Sequence, residues 1–372
     1  MNTEEQSRGF IRRALELAAK AWGQTHPNPM VGAVIVEQGK IVAEGWHRVA
    51  GGPHAEIEAL RALGRRPKSD AVMYVTLEPC STSGQTDACT TAIIESGIRK
   101  LVVGTMDPNP DHAGRGLDLL RMHGIDVVHG ILEAECMDLN LIFNRWIVNK
   151  KPMVAMKMAL TLDGKFAAAS GHSQWVTGEA ARADVMRWRR YFPAIAVGAN
   201  TVLMDDPKLT SRMKDSTWCP RRFVFDRDLK TLGQGSLPGL YSDEYKEQTT
   251  VFCGSGPDVE QRKLLSSKGV TVKELPEVNG QLDFNAFLEH CVEEEICGIY
   301  FEAGPSMVSK LLEGRQADYA FVYLAPKFIN DEAALGIGNP RKTQFMHDAV
   351  QLKNVKHAIF GDDVLVRGNF ED

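Results

Sequence analysis

The chain has 372 residues, 44% of them hydrophobic and 24% charged, with a formal net charge of −5. That length suits two domains of ordinary globular composition, and the negative balance argues against a general nucleic-acid or membrane-surface binder. No apolar run approaches the roughly 18 residues of a membrane span, the start "MNTEEQSRGF" is too acidic and polar for a signal peptide, and seven cysteines fit free thiols in a reducing compartment, the cytoplasm.

Helix-like and strand-like stretches alternate, which predicts α/β architecture. "GFIRRALELAAKAW" predicts the first helix, because Phe10, Ile11, Ala14, Leu17, Ala18 and Ala21 repeat at three- and four-residue spacing. "VGAVIVEQGKIVAEGW" predicts a hairpin turning near Gln38 and Gly39. "PHAEIEALRALG" predicts a helix, with Pro53 in its first turn and Gly64 at its end. Strand "AVMYVTL", helix "TTAIIESG", strand "KLVVGTM", helix "GLDLLRMHG" and strand "DVVHGI" follow. This first unit is expected to span residues 1–148.

The polar break around Asn149, Lys150, Lys151 and Pro152 opens a second unit, expected over 149–372. It alternates again, from strand "MVAMKMAL" and helix "EAARADVMRWRRYF" to helix "SMVSKLLEG", and closes on strand "DYAFVYLAPKF" and a hairpin "VKHAIFGDDVLVRG". An antiparallel end on a mainly parallel sheet is common.

The chemistry concentrates in "PHAEIEAL" and "EPCSTSGQTDAC". A His-x-Glu followed by Pro-Cys has the form of a zinc deaminase, but in the compact signature two residues separate the cysteines, and here eight lie between Cys80 and Cys89. The imidazole of His54 and the thiolates of Cys80 and Cys89 suit tetrahedral zinc with one position open to water. The ion acidifies that water. Glu56 is the candidate proton carrier. Residues two apart do not share a helix face, yet both can reach a metal lying off the start of the helix. Cys89 precedes an apolar helix, whose N-terminus favours thiolate. Cys136, Cys219, Cys253, Cys291 and Cys297 have no such context and are expected to pack.

The second unit is less distinctive. "CGSGPD" supplies half of a dinucleotide fingerprint and is read as a turn and helix start. "FEAGPSM" ends a strand at Gly304, and Pro305 and Ser306 open a helix, which leaves backbone N–H groups for an anion. "VGANTVLMDDP" ends a strand at Gly198, with the Thr201 hydroxyl nearby.

These segments resemble the bifunctional riboflavin-biosynthesis deaminase/reductase family over nearly the whole chain and in the same order. "THPNPMVGAVIV", "GWHRVAGGPHAE", "TLEPC", "DPNP" and "GILEAECMDLNLIFNRW" carry the first half. "KMALTLDGKFA", "SGHSQWVTG", "VGANTVLMDDPKLTSR", "FEAGPSM" and "YLAPKF" carry the second. The resemblance implies a cytidine-deaminase-like α/β/α domain followed by a dihydrofolate-reductase-like α/β domain. It implies zinc and NADPH, and a substrate that is a diaminopyrimidinone bearing ribosylamine 5′-phosphate. The first domain would exchange an amino group for oxygen, and the second would reduce the ribosyl to a ribityl chain. His54, Cys80 and Cys89 match the zinc ligands and Glu56 the proton carrier, while Asn28 and His47 match the pyrimidine pocket. Trp175, Thr201, Asp205, Gly304, Pro305 and Ser306 match cofactor positions. Ser173, Arg189, Leu209, Arg212 and Glu302 match substrate positions, the two arginines suiting a phosphate. Lys157 and Asp163 are expected near the reacting ribose, and Arg227 near the 2′-phosphate of the cofactor. A homo-oligomer is expected.

The sequence departs from the family between the cysteines. The family reads Cys-Ser-His and then Gly-Arg-Thr-Pro-Pro-Cys, whereas this chain has Cys80-Ser81-Thr82 and then Gly84-Gln85-Thr86-Asp87-Ala88-Cys89. An imidazole and a guanidinium are lost and a carboxylate is gained, so zinc binding is expected to survive with weaker deamination of the usual substrate. Pro193 and Ala303 also stand where the family has a polar residue and a glycine, and Ala303 is expected to crowd the cofactor loop. Two other readings compete. One is a zinc deaminase of another base whose second domain senses a nucleotide, and NADPH turnover separates it from the first. The other is a nucleic-acid editing protein, which the net charge of −5 and the lack of a basic tract disfavour.

Overall fold

The structure is a computed structural model that describes residues 3–82, 88–214, 216–233, 235–338 and 343–371. The chain divides into two compact units, Met1–Lys151 and Pro152–Asp372.

In the first unit the helices are α1 (Glu4–Ala18), α2 (Ala55–Leu63), α3 (Cys89–Ser96), α4 (Arg115–Met122), α5 (Glu133–Leu139) and α6 (Leu141–Asn149). The strands are β1 (Gly32–Glu37), β2 (Lys40–Trp46), β3 (Val72–Leu77), β4 (Lys100–Thr105) and β5 (Asp126–His129). They form one sheet in the order β2-β1-β3-β4-β5, antiparallel at the β2 end and parallel from β3 to β5. Along β1, successive side chains alternate between faces. Ala33 and Ile35 join Met73, Val75, Leu101 and Val103 in a core covered by Ala55, Ala59, Ile93, Leu117 and Leu120. Val34 and Val36 join Tyr74 and Val102 under Ile11 and Leu17 of α1. The sheet is therefore buried on both sides, which is why its central strands are near-continuous in apolar residues.

The hairpin turns at Gln38 and Gly39, both at positive φ, the left-handed turn that matches strand twist. Gly45 has no side chain because the backbone of α2 at Ala55 and Ala59 lies where a Cβ would stand. That close approach lays the start of α2 on the sheet. The helix begins two residues later than the sequence suggests: His54 is the N-cap and Pro53 precedes it. Gly64 ends it in the left-handed conformation.

The second unit holds β6 (Met153–Thr161), β7 (Lys165–Ala167), α7 (Glu179–Tyr191), β8 (Ala194–Gly198), α8 (Ala199–Asp205), β9 (Ser211–Met213), β10 (Ser216–Trp218), β11 (Arg221–Phe225) and β12 (Thr249–Cys253). After these come α9 (Val259–Ser267), β13 (Thr271–Glu274), β14 (Glu277–Val278), β15 (Gln281–Leu282), α10 (Phe284–Glu293), β16 (Gly298–Glu302), α11 (Pro305–Glu313), β17 (Tyr319–Ala325), β18 (Leu335–Gly336), β19 (Leu352–Phe360) and β20 (Asp363–Phe370). The main sheet runs β13-β12-β11-β8-β16-β6-β17-β20-β19. It is parallel from β13 to β17, and β20 and β19 add antiparallel.

One face packs Met156, Met158, Phe223, Phe252 and Phe301 against Phe287 of α10 and Val308 and Leu311 of α11. On the other face Trp188, Phe192, Tyr300 and Phe321 pack ring against ring, Phe192 and Tyr300 stacked and the others tilted or edge to face. α8 is an addition to the sequence reading; its seven residues are too few to show a helical period. "CGSGPD" is the strand-to-helix connection expected, with Asp258 closing a capping box on α9. No helix among the described residues is long and apolar enough to cross a membrane.

Candidate active sites

In the first unit, three loop-to-helix joints converge. His54 caps α2 without using its side chain on the helix. Cys80 lies beyond the end of β3, and Cys89 is the first residue of α3. His54 Nδ1 is 3.1 Å from Cys89 Sγ and 3.6 Å from Cys80 Sγ. All three candidate ligand atoms lie within 4.8 Å of one another. Ligands about 2.0–2.3 Å from a tetrahedral zinc stand roughly 3.6 Å apart, so the triangle fits the ion.

The thiols prefer to lose their protons to a cation. Cys80 is held down to about 4, first by its bond from the Cys89 thiol and then by His54 and the Cys89 N–H, against the cost of burial. Cys89 is pushed up, first by sharing its proton with Cys80, then by burial and by Glu56. The pair thus favours the loss of one proton, and a divalent ion would supply the charge needed to form the second thiolate. His54 is raised, chiefly by its bond to Cys80. The Cys89 N–H donates to Cys80 Sγ at 3.3 Å, and the Thr90 N–H and hydroxyl both donate to the Cys80 carbonyl at 3.2 Å. The start of α3 therefore sets both sulfurs.

Glu56 is 3% exposed. Burial raises its pKa, and its carboxyl meets Cys89. His47 lies beside His54, ring centroids 5.4 Å apart and edge to face. Its Nδ1 meets the Pro53 carbonyl at 3.0 Å. Its Nε2 is buried without a hydrogen-bond partner, and burial lowers its pKa. A neutral imidazole with one unused nitrogen suits a polar ligand atom. Asn28 lies in a turn closed by its N–H to the Thr25 carbonyl at 2.7 Å, on the approach to β1. That approach is fixed by Asn140, which exchanges two hydrogen bonds with the Met30 backbone. Of the altered segment between the cysteines, residues 83–87 lie outside the described residues.

The sequence reading missed Glu78. Its carboxylate accepts from the N–H groups of Asp107, Gly114 and Gly116 at 3.1, 2.9 and 2.9 Å. It pins the "DPNPDHAGRG" loop over the end of β3, next to Cys80. Gly116 must lack a side chain there, since a Cβ would meet the Pro79 carbonyl and Glu78 itself.

In the second unit a cleft of about 1330 Å³ opens at the ends of β6, β8 and β16, larger than the ~300–1,000 Å³ of a single drug-sized ligand. Lys157, Trp175, Thr201, Asp205, Gly304 and Glu302 are among its walls. Gly304 caps α11 with no side-chain bond, and Pro305 opens the helix. Thr201 lies on α8 facing it, its hydroxyl 3.5 Å from where a Cβ on Gly304 would stand. Backbone N–H groups at a helix start beside a hydroxyl form a phosphate cradle, which fits a dinucleotide. Ser173 donates to Asp205 Oδ1 at 3.2 Å, and Trp175 is 62% exposed with Arg182 stacked over it. Leu209 is buried with a positive φ in the cleft wall, and Ala303 lines it too.

Lys157 has its pKa lowered, mainly by burial, against the pull of Glu302. For Glu302, burial pushes the carboxyl up, but Arg189 and Lys157 outweigh it and leave it low. Arg189 binds Glu302 through two nitrogens, at 2.5 and 2.8 Å, and donates a third bond to the Thr210 carbonyl at 2.9 Å. Its donors are thus largely used on the protein, and its side chain still lines the cleft. Arg212, with one bond to Thr210 Oγ1 at 2.8 Å, has donors to spare.

Asp163 is likewise engaged by the protein. It accepts from the Thr161 hydroxyl and from the N–H groups of Ile329 and Asn330, and it is not among the cleft walls. These donors hold its pKa at about 2, the Thr161 bond first. It fastens two loops together. Arg227 does line the cleft, paired with Asp228 at 2.9 Å and bonded to the Gly280 carbonyl.

Comparison with known proteins covers both units. Residues 4–105 match the cytidine and deoxycytidylate deaminase zinc-binding region, and residues 152–366 match the RibD C-terminal domain. The riboflavin biosynthesis protein RibD of Actinobacillus pleuropneumoniae is 40% identical over 357 residues, covering 96% of this chain and 93% of that protein. Its namesake from Escherichia coli K12 is 37% identical over 371 residues, covering 96% and 98%. Among solved structures, Acinetobacter baumannii RibD superposes with a TM-score of 0.81 at 32% identity over 100% of both chains. A Thermotoga maritima diaminohydroxyphosphoribosylaminopyrimidine deaminase/5-amino-6-(5-phosphoribosylamino)uracil reductase gives 0.79 at 33% identity over 99% of each. The folds are accordingly cytidine-deaminase-like in the first unit and dihydrofolate-reductase-like in the second, and the chain belongs to the RibD family of riboflavin-biosynthesis proteins.

Proposed function

We propose that the chain performs two consecutive steps of riboflavin biosynthesis on one phosphorylated pyrimidine. The first unit deaminates a diaminopyrimidinone ribosylamine phosphate, and the second reduces the ribosyl chain of the product to ribityl with NADPH. The observation that carries the reading is the triangle of His54, Cys80 and Cys89 with buried Glu56 against it.

Zinc, held by His54, Cys80 and Cys89, supplies the Lewis acidity that makes water nucleophilic near neutral pH. Glu56 carries the protons. Buried and of raised pKa, it takes the two protons of the attacking water in turn, passing the first to the ring nitrogen and the second to the departing ammonia. His47 offers its unused Nε2 to the pyrimidine, and Asn28 is assigned to the same pocket.

In the second unit the ribose ring opens at its carbon–oxygen bond to leave an imine, whose carbon would take the hydride that bound NADPH supplies and whose nitrogen takes a proton. Trp175, Thr201, Asp205 and Gly304–Ser306 hold the cofactor. Ser173, Leu209 and Arg212 hold the substrate, with Arg212 on its phosphate. Lys157 supplies the accompanying proton and Glu302 keeps its ammonium aimed into the cleft, fixed in turn by Arg189.

The surroundings expected are reducing and cytoplasmic, which keep the zinc-binding thiols available. A homo-oligomer is the expected assembly; β19 is an open sheet edge with Val355 and Ile359 exposed, where a second copy can add.

The test is ammonia release from the diaminopyrimidinone substrate without NADPH, by wild type and Glu56→Ala, followed by NADPH oxidation on the deaminated product. Release by wild type alone, with oxidation by both, supports the reading. Failure of wild type to release ammonia from this substrate, with zinc bound, refutes the assignment of the first unit.

A further inference from the structure

Residues 168–178 link β7 to α7 with no helix or strand of their own, and Gly171 and Ser173 to Thr177 form part of the cleft wall. This strap carries Ser173 and Trp175. Its internal backbone bonds are local turns, from the N–H groups of Ala168, Gly171 and Val176 to the carbonyls of His172, Ala168 and Ser173. Its place in the cleft wall therefore depends on bonds from elsewhere.

The Ser173 hydroxyl ties one end to Asp205 on α8 at 3.2 Å. At the other end Gly178 caps α7 with no side chain of its own to bond the helix. Asp363, at the start of β20 and 4% exposed, accepts the Gly178 N–H at 2.6 Å, and a carboxylate there suits the positive end of the helix. Arg182 of α7 donates to the Thr177 carbonyl at 2.6 Å and lays its guanidinium over the Trp175 ring, 4.7 Å from the centroid. The middle is held by Lys327. Its Nζ donates to the carbonyls of two consecutive residues, Trp175 at 3.0 Å and Val176 at 2.8 Å.

Lys327 is fixed without the strap's help. It follows β17, its carbonyl accepts the Leu162 N–H at 2.8 Å, and Asp163 holds the next N–H groups, those of Ile329 and Asn330. The turn after β6 thus anchors the backbone from which the ammonium reaches out. Two of its three donors go to the strap, and bonds from a charged donor are stronger than neutral ones. The side chain is exposed and is not among the cleft walls, so any effect on the reaction passes through the strap. We propose that Lys327 is a positioning residue for the reduction: by holding the carbonyls of Trp175 and Val176 it keeps Ser173 and Trp175 in the cleft wall, and so sets the affinity for both ligands of the cleft without touching either. This rests on the reading that Ser173 and Trp175 contact those ligands.

Steady-state reduction of the deaminated phosphorylated substrate by the full-length chain tests it, with substrate and NADPH varied in turn. Lys327→Met removes both bonds and keeps the apolar stem. The KM for substrate and the KM for NADPH are each expected to rise about tenfold, the scale of a lost charge-assisted contact. The kcat should stay within about threefold of wild type, as when binding shared by ground and transition states is lost. The melting temperature should stay within about 2 °C, because the side chain is exposed. Lys327→Arg keeps donors for both carbonyls and should return both KM values to within about threefold of wild type. Unchanged KM values in Lys327→Met overturn the proposal. So does a rise in the NADPH KM alone that disappears at high salt, which would make Lys327 a distant steering charge. A joint fall of kcat and melting temperature that arginine does not restore assigns Lys327 to the fold and overturns it too. Ser173→Ala and Trp175→Ala test the reading beneath it: if neither moves a KM, that reading fails first and the proposal with it.

Discussion

Arg189 and Glu302 form a two-point ion pair across 113 residues of sequence, with nitrogen–oxygen distances of 2.5 and 2.8 Å and side chains only 9% and 13% exposed. Removing one member of such a pair strands a buried charge, at a cost of about 3–5 kcal/mol. Glu302→Ala is therefore expected to lower the melting temperature of the reductase unit by roughly 10 °C or more. Replacing both residues with methionine should recover most of that loss and none of the activity. Differential scanning calorimetry checks the first outcome and NADPH oxidation the second.

Arg212 should behave differently. Its single bond to Thr210 contributes little to folding, so Arg212→Ala is expected to leave the melting temperature nearly unchanged. The KM for the deaminated phosphorylated substrate should rise about tenfold or more, as for loss of a charge-assisted contact. A larger effect on melting than on KM would assign Arg212 to the fold.

Glu56→Gln keeps the shape of the side chain and removes its ability to carry protons. Ammonia release should fall by about 10²–10⁴-fold. Zinc content, read by atomic emission, should stay at that of wild type, because His54, Cys80 and Cys89 remain. NADPH oxidation on the deaminated product should be unaffected.

Asp163→Asn tests a role in holding loops together. The carboxylate accepts from Thr161, Ile329 and Asn330, and the amide keeps one acceptor oxygen. The melting temperature should fall, while kcat for hydride transfer stays within about threefold of wild type. A loss of kcat near that of a proton-transfer residue, roughly 10²-fold or more, would place Asp163 in the chemistry instead.

The first unit should also lose stability in acid through Glu37. Its carboxylate binds Arg65 at 2.9 and 2.8 Å and accepts the Lys68 N–H at 2.9 Å. These hold its pKa at about 2, the Arg65 bond first. The folded pKa lies below the unfolded one, so the contribution is full above the ordinary carboxylate pKa near ~4.3 and is lost as pH falls toward 2. Glu37→Gln should flatten the decline in melting temperature between those limits.

The triangle of His54, Cys80 and Cys89 was legible because its marks are local: a histidine at a helix start and a cysteine after Pro79 are visible as letters. The three- and four-residue period of α1 likewise showed which of its residues are buried. What was not legible depends on returns of the chain. Nothing near Asp163 announces that the N–H groups of Ile329 and Asn330 come back to it, and nothing in "RWRR" shows that Arg189 meets Glu302. Read alone, each looked available for substrate. Lys327 was invisible for the same reason, since only the fold brings the end of β17 to the carbonyls of Trp175 and Val176.

His54, Cys80 and Cys89 come from three separate stretches of backbone, so an ion held by all of them is a covalent-like tie across the chain. Joining residues 54 and 89 closes a loop of about 35 residues in the unfolded ensemble, and a cross-link of that length restricts the disordered chain by about 4 kcal/mol in the loop-entropy treatment. The ends of α2 and α3 are fastened by the same tie. Chelation should therefore do more than stop deamination: it should loosen the first unit into a form that melts earlier and is cut sooner by proteases, while the second unit keeps its own melting point.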